Sequence, residues 1–156
     1  MSVGLFNSIT MTQMISEIQV SYRPTEEKGP VVKSSAEAYE VLSALYNPDL
    51  LELREEFIVL YLNRANQVKG WHQISSGGLT GTVADPRLIL AIALKTASCC
   101  IILSHNHPSG NLKPSDADIS LTEKINESCR LMDIKLLDHL IITAEGYMSF
   151  ADQDLL

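Results

Sequence analysis

Residues 99–118 read CCIILSHNHPSGNLKPSDAD, and this stretch decides both the fold class and the chemistry to look for. Cys99–Leu103 is a short apolar run of the kind that forms a buried strand. It delivers the chain into Ser104-His105-Asn106-His107-Pro108-Ser109-Gly110, where proline and glycine turn it away. Pro114 leads into the next element, and Ser115 caps a helix expected to run to about Leu131. On extended backbone, residues two apart point to the same side, so His105 and His107 can face one ion without strain. Asp118 falls in the first turn of the helix, facing back toward the loop. Two imidazoles and one carboxylate are three ligands for one divalent metal. Three protein ligands leave a fourth position for water, which separates a catalytic zinc site from a closed structural one. Ser115-x-x-Asp118 is also the pattern of an ordinary helix cap. A strand end, His-x-His, a Pro/Gly loop and a helix-borne aspartate together favour metal.

The flanks supply the rest of an α/β fold. Glu17–Tyr22 alternates polar and apolar residues, a strand signal, and Arg23–Pro30 closes it as a loop. Ser34-Ser35-Ala36-Glu37 is a capping box opening a helix that carries Ala38, Val41, Leu42 and Leu45 on one face, and Asn47-Pro48 ends it. Phe57–Leu62 is a continuous apolar strand, as expected in a covered sheet, and Gln67–Ser75 returns beside it after a turn at Asn63–Asn66. A flexible loop follows at Ser75-Ser76-Gly77-Gly78. Asp85-Pro86 starts a helix that runs to about Thr96. Lys135–Thr143 and Tyr147–Phe150 form a closing hairpin around Glu145-Gly146. Helices interleaved with hairpins predict a mixed β-sheet flanked by helices, not an all-parallel sheet. Neither a GxGxxG after a strand nor a GxxxxGK[ST] is present, so nucleotide binding has no support.

Bulk properties narrow the function classes. A chain of 156 residues is long enough for one domain with its own core and short for two. The net charge of −7 argues against an autonomous nucleic-acid binder, because Lys and Arg are scattered singly and form no phosphate-neutralising cluster. No apolar run is long enough to span a bilayer, and the first residues lack the pattern of a secretory signal, so a cytoplasmic protein with no membrane partner is expected. Cys99, Cys100 and Cys129 read as buried small hydrophobes, without a CxxC pair for a thiolate metal site.

Hydrolysis at such a site also needs a base to take a proton from water. Glu55 and Glu56 lie just before the apolar strand, and either could project from its mouth or simply be solvated there. The pattern Ser104-His105-x-His107-x7-Ser115-x2-Asp118, with a glutamate upstream at a strand start, resembles the JAMM motif of MPN/JAB metalloproteases. With Arg54-Glu55-Glu56-Phe57 and Leu137-Asp138-His139 added, the chain is similar to the bacterial RadC branch over roughly residues 30–152. The resemblance implies an MPN/JAB (cytidine-deaminase-like) fold, with His105, His107 and Asp118 holding Zn²⁺ and Glu55 as general acid/base. Ser115 would stabilise a tetrahedral oxyanion, or serve the helix cap. Residues 1–30 are then an N-terminal leader with a short strand, and 31–156 the RadC-like MPN/JAB domain. The helix-hairpin-helix region of full-length RadC proteins does not fit before residue 30. A deaminase would need His-x-Glu and Pro-Cys-x-x-Cys, and neither occurs.

The expected activity is zinc-dependent cleavage of a peptide or isopeptide bond in a peptide or protein substrate. Two alternatives are a DNA-repair-associated factor and a binding module that keeps metal for stability. His139 reads as a core histidine hydrogen-bonded to the backbone, and His72, beside Trp71, as a surface residue.

Overall fold

The computed structural model describes residues 21–77 and 84–156. Its elements are α1 (Ser35–Ser43), β1 (Glu56–Leu62), β2 (Val68–Ser76), α2 (Pro86–Lys95), β3 (Cys100–Asn106), α3 (Asp116–Leu131), β4 (Lys135–Thr143) and β5 (Gly146–Ser149). The strand expected over Glu17–Tyr22 lies outside the described residues except for Ser21 and Tyr22, which belong to no strand. The glycine-containing loop after Ser76 is described only as far as Gly77.

Five strands form one sheet in the order β2-β1-β3-β4-β5. β1 pairs antiparallel with both β2 and β3, β4 pairs antiparallel with β5, and only β3 and β4 are parallel. That parallel pair requires a crossover, and α3 provides it. Every residue of β1 and β3 is buried, which explains why Phe57–Leu62 and Cys100–Leu103 are unbroken apolar runs instead of alternating ones.

The pleat splits those runs into two cores. Phe57, Val59, Tyr61, Ile101 and Leu103 face Ile89 and Ala93 of α2 with Ile125 and Cys129 of α3. Ile58, Leu60, Leu62, Cys100 and Ile102 face Ala38 and Leu42 of α1. The expected α/β class, a mixed sheet with helices on both faces, is what the chain forms.

The helix starts follow the sequence signals. The Ser34 hydroxyl accepts from the Glu37 amide, while the Glu37 carboxylate accepts from the Lys33 amide, one residue beyond a standard box. The Asp85 side chain accepts from the Arg87 amide with Pro86 in the first turn. Helix ends are less conventional. Ala97 and Asp133, at φ 48° and 53°, follow α2 and α3 in the left-handed region that usually belongs to glycine. Ser98 and Ala97 donate to the carbonyls of Ala93 and Leu94, and Ile134 and Asp133 donate to those of Cys129 and Arg130. Both are Schellman closures made without glycine.

Candidate metal centre

The site lies at the carboxyl end of β3, facing the amino end of α3. His105 is the penultimate residue of β3 and is buried. The ladder continues one step beyond the strand, since the His107 amide donates to the Ile142 carbonyl of β4 at 3.0 Å. Both histidines are thereby held on extended backbone, and their rings meet edge to face with centroids 4.7 Å apart. Pro108 and Ser109 then form a turn closed by the Gly110 amide on the His107 carbonyl. Gly110 takes φ +76°, a conformation that costs a glycine nothing.

Asp118 comes from the first turn of α3. One carboxylate oxygen lies 3.2 Å from His105 Nε2 and the other 3.5 Å from His107 Nε2, and the two Nε2 atoms are 2.9 Å apart. One ligand atom from each of His105, His107 and Asp118 therefore lies within 4.8 Å of the others, an arrangement that could hold a metal ion. His107 Nδ1 sits 2.6 Å from the Asn111 carbonyl, which can only accept. Nδ1 must carry a proton there, so whenever the ring is neutral its lone pair lies on Nε2, the nitrogen that could ligate a metal. Two imidazole nitrogens and one carboxylate, one of them oriented in this way, fit the ligand preferences of zinc.

Ser115 is the N-cap of α3. Its hydroxyl accepts from the Asp118 amide at 3.1 Å and donates to an Asp118 carboxylate oxygen at 2.6 Å, while its own amide donates to that same oxygen at 2.7 Å. The two readings of Ser115-x-x-Asp118 are thus compatible, because the cap is what aims the carboxylate. Burial pushes the Asp118 carboxyl up, and hydrogen bonds from His105, His107 and Ser115 more than offset it, holding the group far below the usual carboxylate range. Its hydrogen bond to Asp118 raises His107 against burial, with smaller contributions from the Asn111 carbonyl and the charges of Asp118 and Glu55.

The two glutamates separate by strand alternation. Glu56 shares a face with Ile58, opposite the histidines, where it is buried. There its carboxylate accepts from Arg54 Nε and a terminal guanidinium nitrogen at 3.1 and 2.9 Å, and from the Gln73 amide at 3.3 Å. Glu55 precedes β1 and falls in phase with Phe57, which pairs with His105 across the ladder. Its charge reaches His107. Glu55 is not one of the three clustered ligand residues.

Several contributing residues escaped sequence reasoning. Asn106, between the two histidines, points to the opposite face and is fully buried. Its carbonyl oxygen accepts from the Glu56 amide at 2.7 Å, and its amide donates to the Leu51 and Arg54 carbonyls at 2.7 and 2.8 Å. One side chain thus ties the segment carrying Glu55 to the strand carrying the histidines. Alternation alone would have turned Asn106 away from the histidines, and a buried amide needs such partners.

His139 is the clearest correction. It is a core residue as expected, yet its ring bonds side chains instead of backbone. Nε2 lies 2.8 Å from His105 Nδ1, and Nδ1 lies 2.7 Å from the Thr122 hydroxyl. Burial, then the charge of His105, drives it well below the ordinary histidine value. His72 and Trp71 are exposed, as expected. Cys100 and Cys129 are buried and Cys99 partly so, all three as free thiols.

A recess of about 250 Å³ opens beside His107, lined by Glu52, Pro108, Ser109, Gly110, Ala144 and Glu145. A larger one of about 520 Å³, between Tyr22–Pro30 and the start of β2, contains neither histidine nor cysteine. No helix among the described residues is long and apolar enough to cross a membrane.

The sequence model of the RadC-like JAB domain matches residues 32–155. The chain is similar to the UPF0758 protein of Flavobacterium johnsoniae, with 43% identity over 125 residues, covering 80% of this chain and 53% of that protein. It is 42% identical over 127 residues to the UPF0758 protein of Porphyromonas gingivalis, covering 80% of this chain and 54% of the relative. The UPF0758 protein YfjY of Escherichia coli is 40% identical over 103 residues, with 66% and 64% of the two chains covered. The chain spans about half the length of the first two.

Proposed function

Because the chain belongs to the RadC-like JAB domain family, and because His105, His107 and Asp118 converge at one strand end, we propose that it is a zinc-dependent hydrolase of amide bonds in peptides or proteins. The convergence of those three side chains is the observation that carries this reading. A zinc ion bound there supplies Lewis-acid polarisation and lowers the pKa of water.

The chain's own residues do the rest. His107 is held in the ligating tautomer by the Asn111 carbonyl, and Asp118 is aimed by the Ser115 cap. Glu55, in phase with the histidine face, takes a proton from the attacking water and returns it to the leaving amine as the C–N bond breaks. Ser115 is close enough to Asp118 to share the site, and its hydroxyl donates to the Asp118 carboxylate. An oxyanion role for Ser115 requires that proton to turn toward the substrate.

Elemental analysis paired with a peptide-library cleavage screen tests the proposal. About one zinc per chain is expected, and Glu55→Gln should retain it while losing hydrolysis by at least 10²-fold, the low end for removing general base catalysis. Glu56→Gln should keep both, since that carboxylate is tied to Arg54 on the other face. A chain that takes up no zinc, or equal cleavage by wild type and Glu55→Gln, contradicts the reading.

A further inference from the structure

We infer that Thr122 and His139 are positioning residues for His105, forming a hydrogen-bond relay that starts at a backbone carbonyl and determines which His105 nitrogen faces the metal. This inference rests on the metal reading above. It assigns a role to two residues outside the ligand set.

The polarity follows from its fixed end. The Thr122 hydroxyl lies 2.6 Å from the Asp118 carbonyl one helical turn earlier, and a carbonyl can only accept, so the single hydroxyl proton is committed there. Thr122 can then only accept from His139 Nδ1, 2.7 Å away, which places the His139 proton on Nδ1. The His139 ring is fully buried, stacked on Phe150 at 4.7 Å and tilted against Phe57 at 5.6 Å. With its proton on Nδ1, the neutral ring has a lone pair on Nε2. That lone pair accepts from His105 Nδ1 at 2.8 Å. His105 Nε2 is left as the atom that faces Asp118 and His107.

The relay also closes on itself. It begins at the backbone of Asp118 and ends at the ring beside the Asp118 carboxylate. The two ligands from different elements are thereby joined through α3 and β4 as well as through a cation. His107 receives the same service from the Asn111 carbonyl directly. His105 obtains it through two intermediates because its Nδ1 points into the core, where β4 presents a side chain.

Ring-nitrogen NMR of the metal-free full chain, labelled with ¹⁵N-histidine, tests the relay without any metal. His139 should show a protonated Nδ1 and a lone-pair Nε2. In Thr122→Val, which keeps the shape and deletes the acceptor, the proton should shift toward Nε2. Chelator competition should then show zinc affinity weakened roughly 10–100-fold, the usual effect of losing a ligand's hydrogen-bond partner. Thr122→Ser should restore both the tautomer and the affinity, which a purely packing role for the methyl group would not do. A wild-type His139 protonated on Nε2 overturns the relay and needs no variant to fold. A folded Thr122→Val with unchanged tautomer and affinity overturns it as well. The expected tautomer in a chain that binds no zinc would instead uphold the relay's polarity and overturn the metal reading.

Discussion

At the scale of single residues, the site depends on groups whose hydrogen-bonding capacity is fully used. Asn106 satisfies three backbone groups from one buried amide. Asn106→Ala would strand the Glu56 amide and the Leu51 and Arg54 carbonyls wherever water cannot reach them. A loss of about 2–4 kcal/mol is expected, read from the denaturant midpoint at unchanged slope. Its second consequence is local. The Leu51–Glu55 segment is released from β3, so cleavage should fall further than zinc content in the molecules that remain folded. Equal stability of variant and wild type would mean that this amide is not what holds the segment.

His-x-His was legible because extended backbone repeats every two residues. The same periodicity assigns Asn106, Ser104 and Glu56 to the opposite face, where Ser104 meets the Tyr46 hydroxyl at 2.6 Å. The choice between Glu55 and Glu56 stayed open in the sequence because both precede the strand. The pairing of Phe57 with His105 puts Glu56 on the face opposite the histidines, and Glu55 acts on His107 through its charge. His139 was not legible in this way, since its partners come from α3 and β3, at separations of 17 and 34 residues.

At the scale of elements, strand and helix starts carry chemical signals that a reader of sequence can see, and two helix ends here do not. Ser34, Asp85 and Ser115 cap their helices as their side chains suggest. Ala97 and Asp133 close α2 and α3 in the left-handed conformation without glycine, and only the backbone hydrogen bonds reveal them. Ala97 is exposed, so replacing it alters little except backbone strain. Ala97→Gly should therefore stabilise the chain by roughly 0.5–1 kcal/mol, relief of the Cβ clash being partly offset by greater freedom in the unfolded state. Thermal melting checks this, and a lower melting temperature would show that the closure is not strained.

At the scale of the whole molecule, metal and proton compete for one cluster. His107 has a raised proton affinity, so its contribution to stability is fully present below its unfolded value near 6.5 and fades as pH rises through the higher folded value. Asp118 is shifted the other way, so its contribution is present above about 3.9 and lost as pH falls toward the depressed folded value. The metal-free chain gains most from the pair between about pH 4 and 6.5. Zinc must displace the His107 proton, so its stabilisation should grow from pH 6 to pH 8. At free zinc 100 times Kd the increment is about 2.7 kcal/mol. Melts with zinc and with chelator should therefore diverge more at pH 8 than at pH 6. His105→Ala should abolish the divergence at both. A gap that stays the same across pH, or survives in His105→Ala, would place zinc elsewhere on the chain.

Local physics was written into the sequence alone: apolar runs for the covered strands, caps for the helix starts, and the spacing that turns His105 and His107 to one side. Those features act over a few residues, where backbone geometry leaves little choice. Tertiary structure decided what depends on register and crossover. The parallel pairing of β3 with β4 brings His139 against His105, and α3 then sets Thr122 beside it. The antiparallel pairing of β1 with β3 turns Glu56 away from the histidines and lets Asn106 hold the segment before it. Hydrogen bonds between side chains distant in sequence have no local signature, because their energy exists only once the sheet has fixed both partners.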